Sequence, residues 1–521
     1  MKHLTALIGV FLCSSASVAT ARPPAAPTNL TATAVSSNQI NLSWTDNSKN
    51  ETGFKIERSR DGITFAQKDV VGVNVTAYTD SGRQASTKYY YRVRAYDSGG
   101  NSGYSNTASA TTATTLTQSQ FYIAIRTDGF PGSGTQADPY DGSTPAKFDA
   151  IMSKLQAVLN PAIHLVGRGP FRTYASHTWF VHSGWVISGD GMYSTTVQLT
   201  GSVSGMNDVA VFKSDPKLAT DNVTFTNLTI DCNWPQLSAT ADWGLGGEEN
   251  CKIGAVVLFG SNNLLDHVRS INTYSSLANQ LEEFALWLVG PPSGDGTNDV
   301  IQYCRAEMPR GNHEGPFNLT GFLYSTPTHL LTNSKVISCT AVGVYGALST
   351  SPGFASGGVN LANVQNCQID SNTFIDCFGA AYIDTGSVDG LQVTNNTVTR
   401  GWLGIGLLSP VIQGVKQNIT ISGNTFLIQN RVPHGASYGI EAGYGPTTNL
   451  TIDHNTVTFD TSGPGILSFW GIAGGYVTSG TISNNIVGLA PQLNNGFAAS
   501  TVTMFNNRTP AGTLIPALNN R

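Results

Sequence analysis

The chain has 521 residues, a formal net charge of −5 and only 12% charged residues. That balance leaves no basic footprint, so nucleic acid is not an expected partner. After the N-terminal stretch no run is apolar and long enough to span a membrane, and 56 glycines suit a turn-rich all-β chain of two or three domains.

Lys2 and His3 precede the apolar run from Leu7 to Leu12, and Ala19-Thr20-Ala21 offers a small-residue cleavage site. Residues 1–21 therefore read as a secretory signal, with the mature chain starting at Arg22. Leu12 is too large for the residue before a lipidated Cys13, so no lipid anchor is expected. Export permits disulfides among the remaining cysteines. Cys232 and Cys251 bracket a Gly-rich insertion and form the best candidate bridge. Cys339 and Cys377 each fall five residues after Ser334 and Asn372. They are expected to stack, as buried thiols or as a bridge. No Cys/His spacing suggests zinc.

Pro23, Pro24 and Pro27 make a stiff entry. Residues 27–112 then alternate apolar and polar in short runs: Ile40, Leu42 and Trp44; Phe54 and Ile56; Tyr89, Tyr91, Val93 and Ala95. This stretch resembles a fibronectin type III domain. The resemblance makes Trp44 the core Trp of the second strand and Tyr89 the tyrosine-corner residue. Residues 113–120 read as a linker.

A second domain, 121–521, opens with Phe121, Tyr122 and Ile123. One helix follows: Thr144 can cap it and Pro145 suits its first turn. Phe148, Ile151, Met152, Leu155, Val158 and Leu159 give it one apolar stripe. It is the candidate cap for the open end of a sheet.

From Ile369 to Asn507 a short phrase recurs: an apolar residue, two variable residues, then Asn. The pairs are Ile369/Asn372, Val393/Asn396, Ile421/Asn424, Ile452/Asn455, Ile482/Asn485 and Met504/Asn507. The Asn residues stand 24, 28, 31, 30 and 22 positions apart. Such a period signals a solenoid, and the β-branched content favours strands. Asn tolerates left-handed backbone and can bond the next coil, so these residues are expected to form a structural ladder. The pattern resembles the right-handed parallel β-helix of the pectin-lyase-like superfamily. It implies an all-β chain: a fibronectin type III sandwich followed by a right-handed parallel β-helix solenoid with an N-terminal capping helix. It also implies a polysaccharide substrate. The paired-Asp and Gly-His-Gly signatures of polygalacturonases and the clustered Asp and Arg signature of pectate lyases are missing, so no catalytic residue carries over.

Aligning the later strand of each coil places Val257, Trp287, Tyr345, Tyr382, Gly406, Glu441 and Leu467 in one outward column. Phe259, Val289, Ala347, Asp384, Leu408, Gly443 and Phe469 form the column two residues on. Trp287, Tyr345, Tyr382 and Phe469 are candidate platforms for a sugar ring. Asp384 and Glu441 are a candidate hydrolase pair, about 12 Å apart at the backbone, which side chains can narrow to the roughly 6.5–9.5 Å of an inverting pair. In a long-insertion loop, His313 and Arg310 have the types a polyuronate lyase needs, a base and a cation to neutralise the carboxylate. Glu314 lies beside them. Lys252, Arg400 and Arg431 are further cations, and His434 a further loop histidine. No cofactor is expected, though Asp295, Asp299, Asp370 and Asp376 could supply oxygens to calcium. The expected function is recognition of an extracellular polysaccharide by a secreted protein, with cleavage by a lyase or hydrolase. The alternative is a non-catalytic carbohydrate-binding or adhesion protein.

Overall fold

The computed structural model describes residues 22–35, 39–112, 118–201, 208–233, 252–275, 284–307, 315–321, 329–343, 358–377, 379–401, 403–407, 415–429, 436–442, 446–460, 468–474, 477–488 and 501–515. The chain divides into two compact units at Leu116/Thr117.

In the first unit, β1 (Thr28–Ala34), β2 (Gln39–Thr45) and β5 (Ala77–Ser81) form one antiparallel sheet. β3 (Gly53–Ser59), β4 (Ala66–Gly72), β6 (Lys88–Asp97), β7 (Gly100–Asn101) and β8 (Ala108–Thr111) form the other. Strand period two decides the core. On β6 the odd positions Tyr89, Tyr91, Val93 and Ala95 are at most 1% exposed. Trp44 packs on Phe54 with centroids 5.6 Å apart. The Tyr89 hydroxyl accepts the Gln84 N–H at 3.0 Å, the link of a tyrosine corner.

The second unit is dominated by one large, almost wholly parallel sheet. One inward row runs from Ile163 and Ile187 through Phe225, Leu265, Ile301 and Val336. It continues through Ile369, Val393, Ile421 and Ile452 to Ile482 and Met504. Each of these pairs joins successive tiers of chain, and the aliphatic row is the spine of a continuous core.

The corner after this row uses two adjacent residues. The first takes positive φ, as in Asn395 (55°), His454 (53°) and Asn484 (56°). The second points inward: Asn372, Asn396, Asn424, Asn455, Asn485 and Asn507 are at most 2% exposed. Asn424 shows the pattern. Its N–H donates to Asn455 Oδ1 at 3.0 Å, and its Nδ2 donates to Val393 O at 2.8 Å and Asn455 Oδ1 at 2.9 Å. Buried polar groups must find partners, and each rung here satisfies its neighbours.

The ladder also corrects the cysteine register. The Cys339 N–H donates to Asn372 Oδ1 at 2.8 Å, one tier of 33 residues away. Cys339 therefore stacks on Asn372, and Cys304 precedes both in the same column. Ser334 instead matches Cys367, so Cys339 and Cys377 are not equivalent. Cys232, Cys304, Cys339, Cys367 and Cys377 are buried free thiols. Cys232 does not form the expected bridge: it follows inward-facing Ile230 and is 0% exposed. Cys251 lies outside the described residues. Burial raises the Cys367 thiol to about 12.

A second, shorter polar ladder starts the same tiers. The N–H groups of Val223, Asn263 and Asp299 donate to Asn263 Oδ1, Asp299 Oδ1 and Ser334 Oγ at 3.0, 2.8 and 3.0 Å. Asp299 is 0% exposed, and burial holds its carboxyl well above the usual range.

Helix α1 (Pro145–Leu155) begins where the sequence places it, with Thr144 accepting the Lys147 N–H. Phe148, Met152 and Leu155 are buried, and Phe148 meets Phe171 at 5.9 Å. Leu159 leaves the apolar stripe, 80% exposed, because the helix ends before it.

Candidate functional site

The outward column on the later strands reads Val257, Trp287, Asn318, Asn360, Tyr382, Gly406, Glu441 and Ala473. Sequence reasoning placed Val257, Trp287, Tyr382, Gly406 and Glu441 in this column. Asn318 and Asn360 fill the tiers between Trp287 and Tyr382, and Ala473 follows Glu441. Tyr345 and Leu467 themselves lie outside the described residues. The matching phrases Phe317-Asn318-Leu319 and Val359-Asn360-Leu361 were the available signal.

Glu441 lies on the strand Ala436–Ala442. Its neighbours Ile440 and Ala442 are buried, at 0% and 1% exposure, which turns Glu441 to the outer face. Burial nonetheless raises its carboxyl to about 7. Gly406 stands between Tyr382 and Glu441 in the column. It is itself buried, and it separates residues two tiers, about 9.6 Å, apart. Asp384 sits at a break in register: Leu361 pairs with Ile383, but Ala362 pairs with Thr385. Of Tyr382 and Asp384 only the backbone is described.

The remaining predicted residues divide. Trp287 is 7% exposed and belongs to a satellite apolar cluster with Val257, Phe259 and Val289. Its ring N–H donates to Thr320 Oγ1 at 2.7 Å, so little of the ring is open to a sugar. Phe469 pairs with Ser437, four residues before Glu441, and not in the Asp384 row. The strand Ser468–Gly474 begins two residues after the expected Ile466, and its register is shifted by six, with Ala473 opposite Glu441. Arg310, His313, Glu314, Arg431 and His434 lie outside the described residues. Arg400 is held by Asp376, with Nε 2.7 Å from Oδ1. Among the described residues no three metal-ligating side chains converge, and Asp295, Asp299, Asp370 and Asp376 sit apart. Among them, too, no helix is long and apolar enough to cross a membrane.

Two features escaped the sequence reading. Lys416 lies in an inward column with Val388 and Thr447. It is 3% exposed, and its Nζ donates to Leu407 O at 3.0 Å. Burial lowers the amine to about 8. The Leu407 N–H in turn donates to Glu441 O at 2.7 Å, tying this amine to the strand that carries Glu441. A lysine in a column of apolar residues was the signal.

The second feature is a Ser–His–Asp chain. His164 Nδ1 lies 2.9 Å from Ser188 Oγ and its Nε2 2.9 Å from Asp190 Oδ1. An acyl-transfer site also needs backbone donors for the oxyanion. The N–H groups after Ser188 are occupied: Asp190 donates to Thr195 Oγ1 and Gly191 to Asn227 O. The chain of contacts braces two tiers, His164 and Ser188 being paired in register.

The fold and site define a two-unit, all-β protein with an ionisable outer face. The fibronectin type III domain family model matches residues 25–111, so the chain carries an N-terminal fibronectin type III domain. Among curated proteins, it is 36% identical over 165 residues to an alpha-amylase of Niallia circulans, covering 30% of this chain and 12% of that protein. It is 26% identical over 237 residues to exoglucanase B of Cellulomonas fimi, covering 43% and 21%. The chain thus spans only about an eighth to a fifth of these relatives' lengths. A beta-1,2-glucanase structure from Parabacteroides distasonis is 31% identical over 18% of this chain and 14% of that one, with a TM-score of 0.17. An Fn3-like protein from Clostridium thermocellum is 32% identical over 17% and 92%, with a TM-score of 0.16.

Proposed function

We propose that this is a secreted, carbohydrate-active protein whose second unit is a right-handed parallel β-helix, closed at one end by α1, that hydrolyses an extracellular polysaccharide. The observation that carries the reading is the Glu441 carboxyl, raised by burial to about 7 on an outward strand position beside Gly406. A general acid works best when its pKa lies near the working pH. In this reading a sugar ring lies beside Glu441. Protonated Glu441 gives its proton to the glycosidic oxygen. Asp384 takes a proton from the attacking water, the division of labour of an inverting pair. Relatives named alpha-amylase and exoglucanase support the substrate class. The lyase reading loses one of its cations, because Arg400 is already paired with Asp376.

The test is incubation of the purified protein with pectins, alginate and neutral glycans, recording reducing ends and ultraviolet absorbance together. Reducing ends without absorbance are expected. Absorbance from an unsaturated product overturns hydrolysis in favour of elimination. Retention of a glycan with neither signal favours the non-catalytic binder.

A further inference from the structure

We infer that the outer face of the β3–β6 sheet in the fibronectin type III domain is a docking strip for an acidic polysaccharide, one carrying carboxylate or sulfate groups. The strip lies in the first unit and does not depend on what the second unit does.

Strand alternation places Lys55 and Glu57 of β3 and Lys88, Tyr90, Arg92, Arg94 and Tyr96 of β6 on the outer face. That is four cations against one carboxylate, a net +3 on a chain whose total is −5. The one carboxylate is withdrawn. Glu57 is 4% exposed, held by Arg92 at 2.7 Å, Arg94 at 2.9 Å and the Tyr104 hydroxyl at 2.9 Å. On β3 and β6 the cations therefore outnumber the carboxylate, and the exposed Asp61, bonded to Ser59, lies at the Tyr90 end.

The cations are also fixed in place. Arg92 lies between Phe65 and Tyr104, 4.3 and 3.8 Å from the ring centroids. Lys88 rests over Tyr90 at 5.0 Å and Lys55 over Tyr96 at 4.9 Å. Cations held over aromatic faces lose less freedom when they bind. The strip from Lys88 to Tyr96 runs about 26 Å along an extended strand, a length suited to a linear polyanion. Lys88 and Lys55 lie over the Tyr90 and Tyr96 rings, so the strip offers charge more than a stacking platform for bases.

The experiment uses the full chain carrying Glu441→Gln, so that cleavage does not confuse binding. Retention is measured by affinity electrophoresis in polygalacturonate, dextran sulfate and dextran. Both polyanions are expected to retard the protein, less so as salt rises, while dextran does not. The double variant Lys55→Glu/Lys88→Glu is expected to weaken retention at least tenfold at an unchanged melting temperature. Lys49→Glu, an exposed charge reversal outside β3 and β6, leaves it unchanged. The proposal fails if the double variant binds as the parent does. It fails also if Lys49→Glu weakens binding equally, if neither polyanion binds, or if duplex DNA is held as tightly as the polyuronate.

Discussion

At the scale of single residues, burial raises two carboxyls, Glu441 on the outer face and Asp299 in the core. Glu441 is raised from 4.5 to about 7 in the folded chain. Its contribution to stability is complete below the unfolded value and is lost as pH rises through the folded one. Glu441→Gln is therefore expected to melt at or above the parent temperature at pH 8, with the advantage shrinking toward pH 4. Calorimetry across that range checks the sign. The same substitution is expected to lower hydrolysis by about 10²-fold or more, and the parent's activity should fall on the alkaline side of about pH 7. Asp299 obeys the same rule more deeply in the core. It occupies a rung where neighbouring tiers place Asn263 and Ser334, which bring hydrogen-bond donors as well as acceptors. Only the protonated acid supplies a donor there. Asp299→Asn restores it at every pH and should stabilise the fold at pH 8 by on the order of 1–3 kcal/mol, measured by denaturant unfolding. A loss of stability at pH 8 would show that the ionised carboxylate is preferred.

At the scale of elements, the corner ladder is the strongest feature. Asn424→Ala strips the partner from Asn396 Nδ2 and N–H and from Val393 O. A cost of about 2–4 kcal/mol is expected for buried groups left unpaired. Asn507→Ala, on the last rung, should cost less. The ladder was legible because a single residue type recurred at a single position. Its extension into Cys304 and Cys339 was not, because a thiol replaces the amide there and breaks the phrase. The start of α1 was legible from Thr144 and Pro145, whose preferences are local. The register of this column was read correctly at Val257, Trp287, Tyr382, Gly406 and Glu441 and missed at Asn318 and Asn360. Loop lengths between tiers vary, so a residue count drifts, whereas hydrogen-bonded register does not. The burial of Trp287 was likewise hidden, since alternation tells outward from inward but not what covers an outward residue.

At the scale of the whole molecule, each unit owns a hydrophobic core, one built around Trp44 and Tyr91 and the other around the aliphatic rows. A chain beginning at Thr117 is thus expected to fold cooperatively. It should keep the hydrolytic activity proposed for Glu441 and lose retention by polygalacturonate. Circular dichroism, reducing-end release and affinity electrophoresis together decide this. Loss of activity with folding intact would mean that the fibronectin type III domain takes part in the reaction.

The ladder has one more consequence, for how such a chain changes over generations. Each rung asks of its neighbours only what it offers them: Asn396 contacts Asn424 as Asn424 contacts Asn455. Copying one period of the gene, or deleting one, rejoins two surfaces that already match. The spread of periods, from 22 to 31 residues between rungs, shows that loops can grow between copies without disturbing the match. Length is thus a cheap variable in this architecture, and new surface can be added a tier at a time while the older tiers keep their contacts.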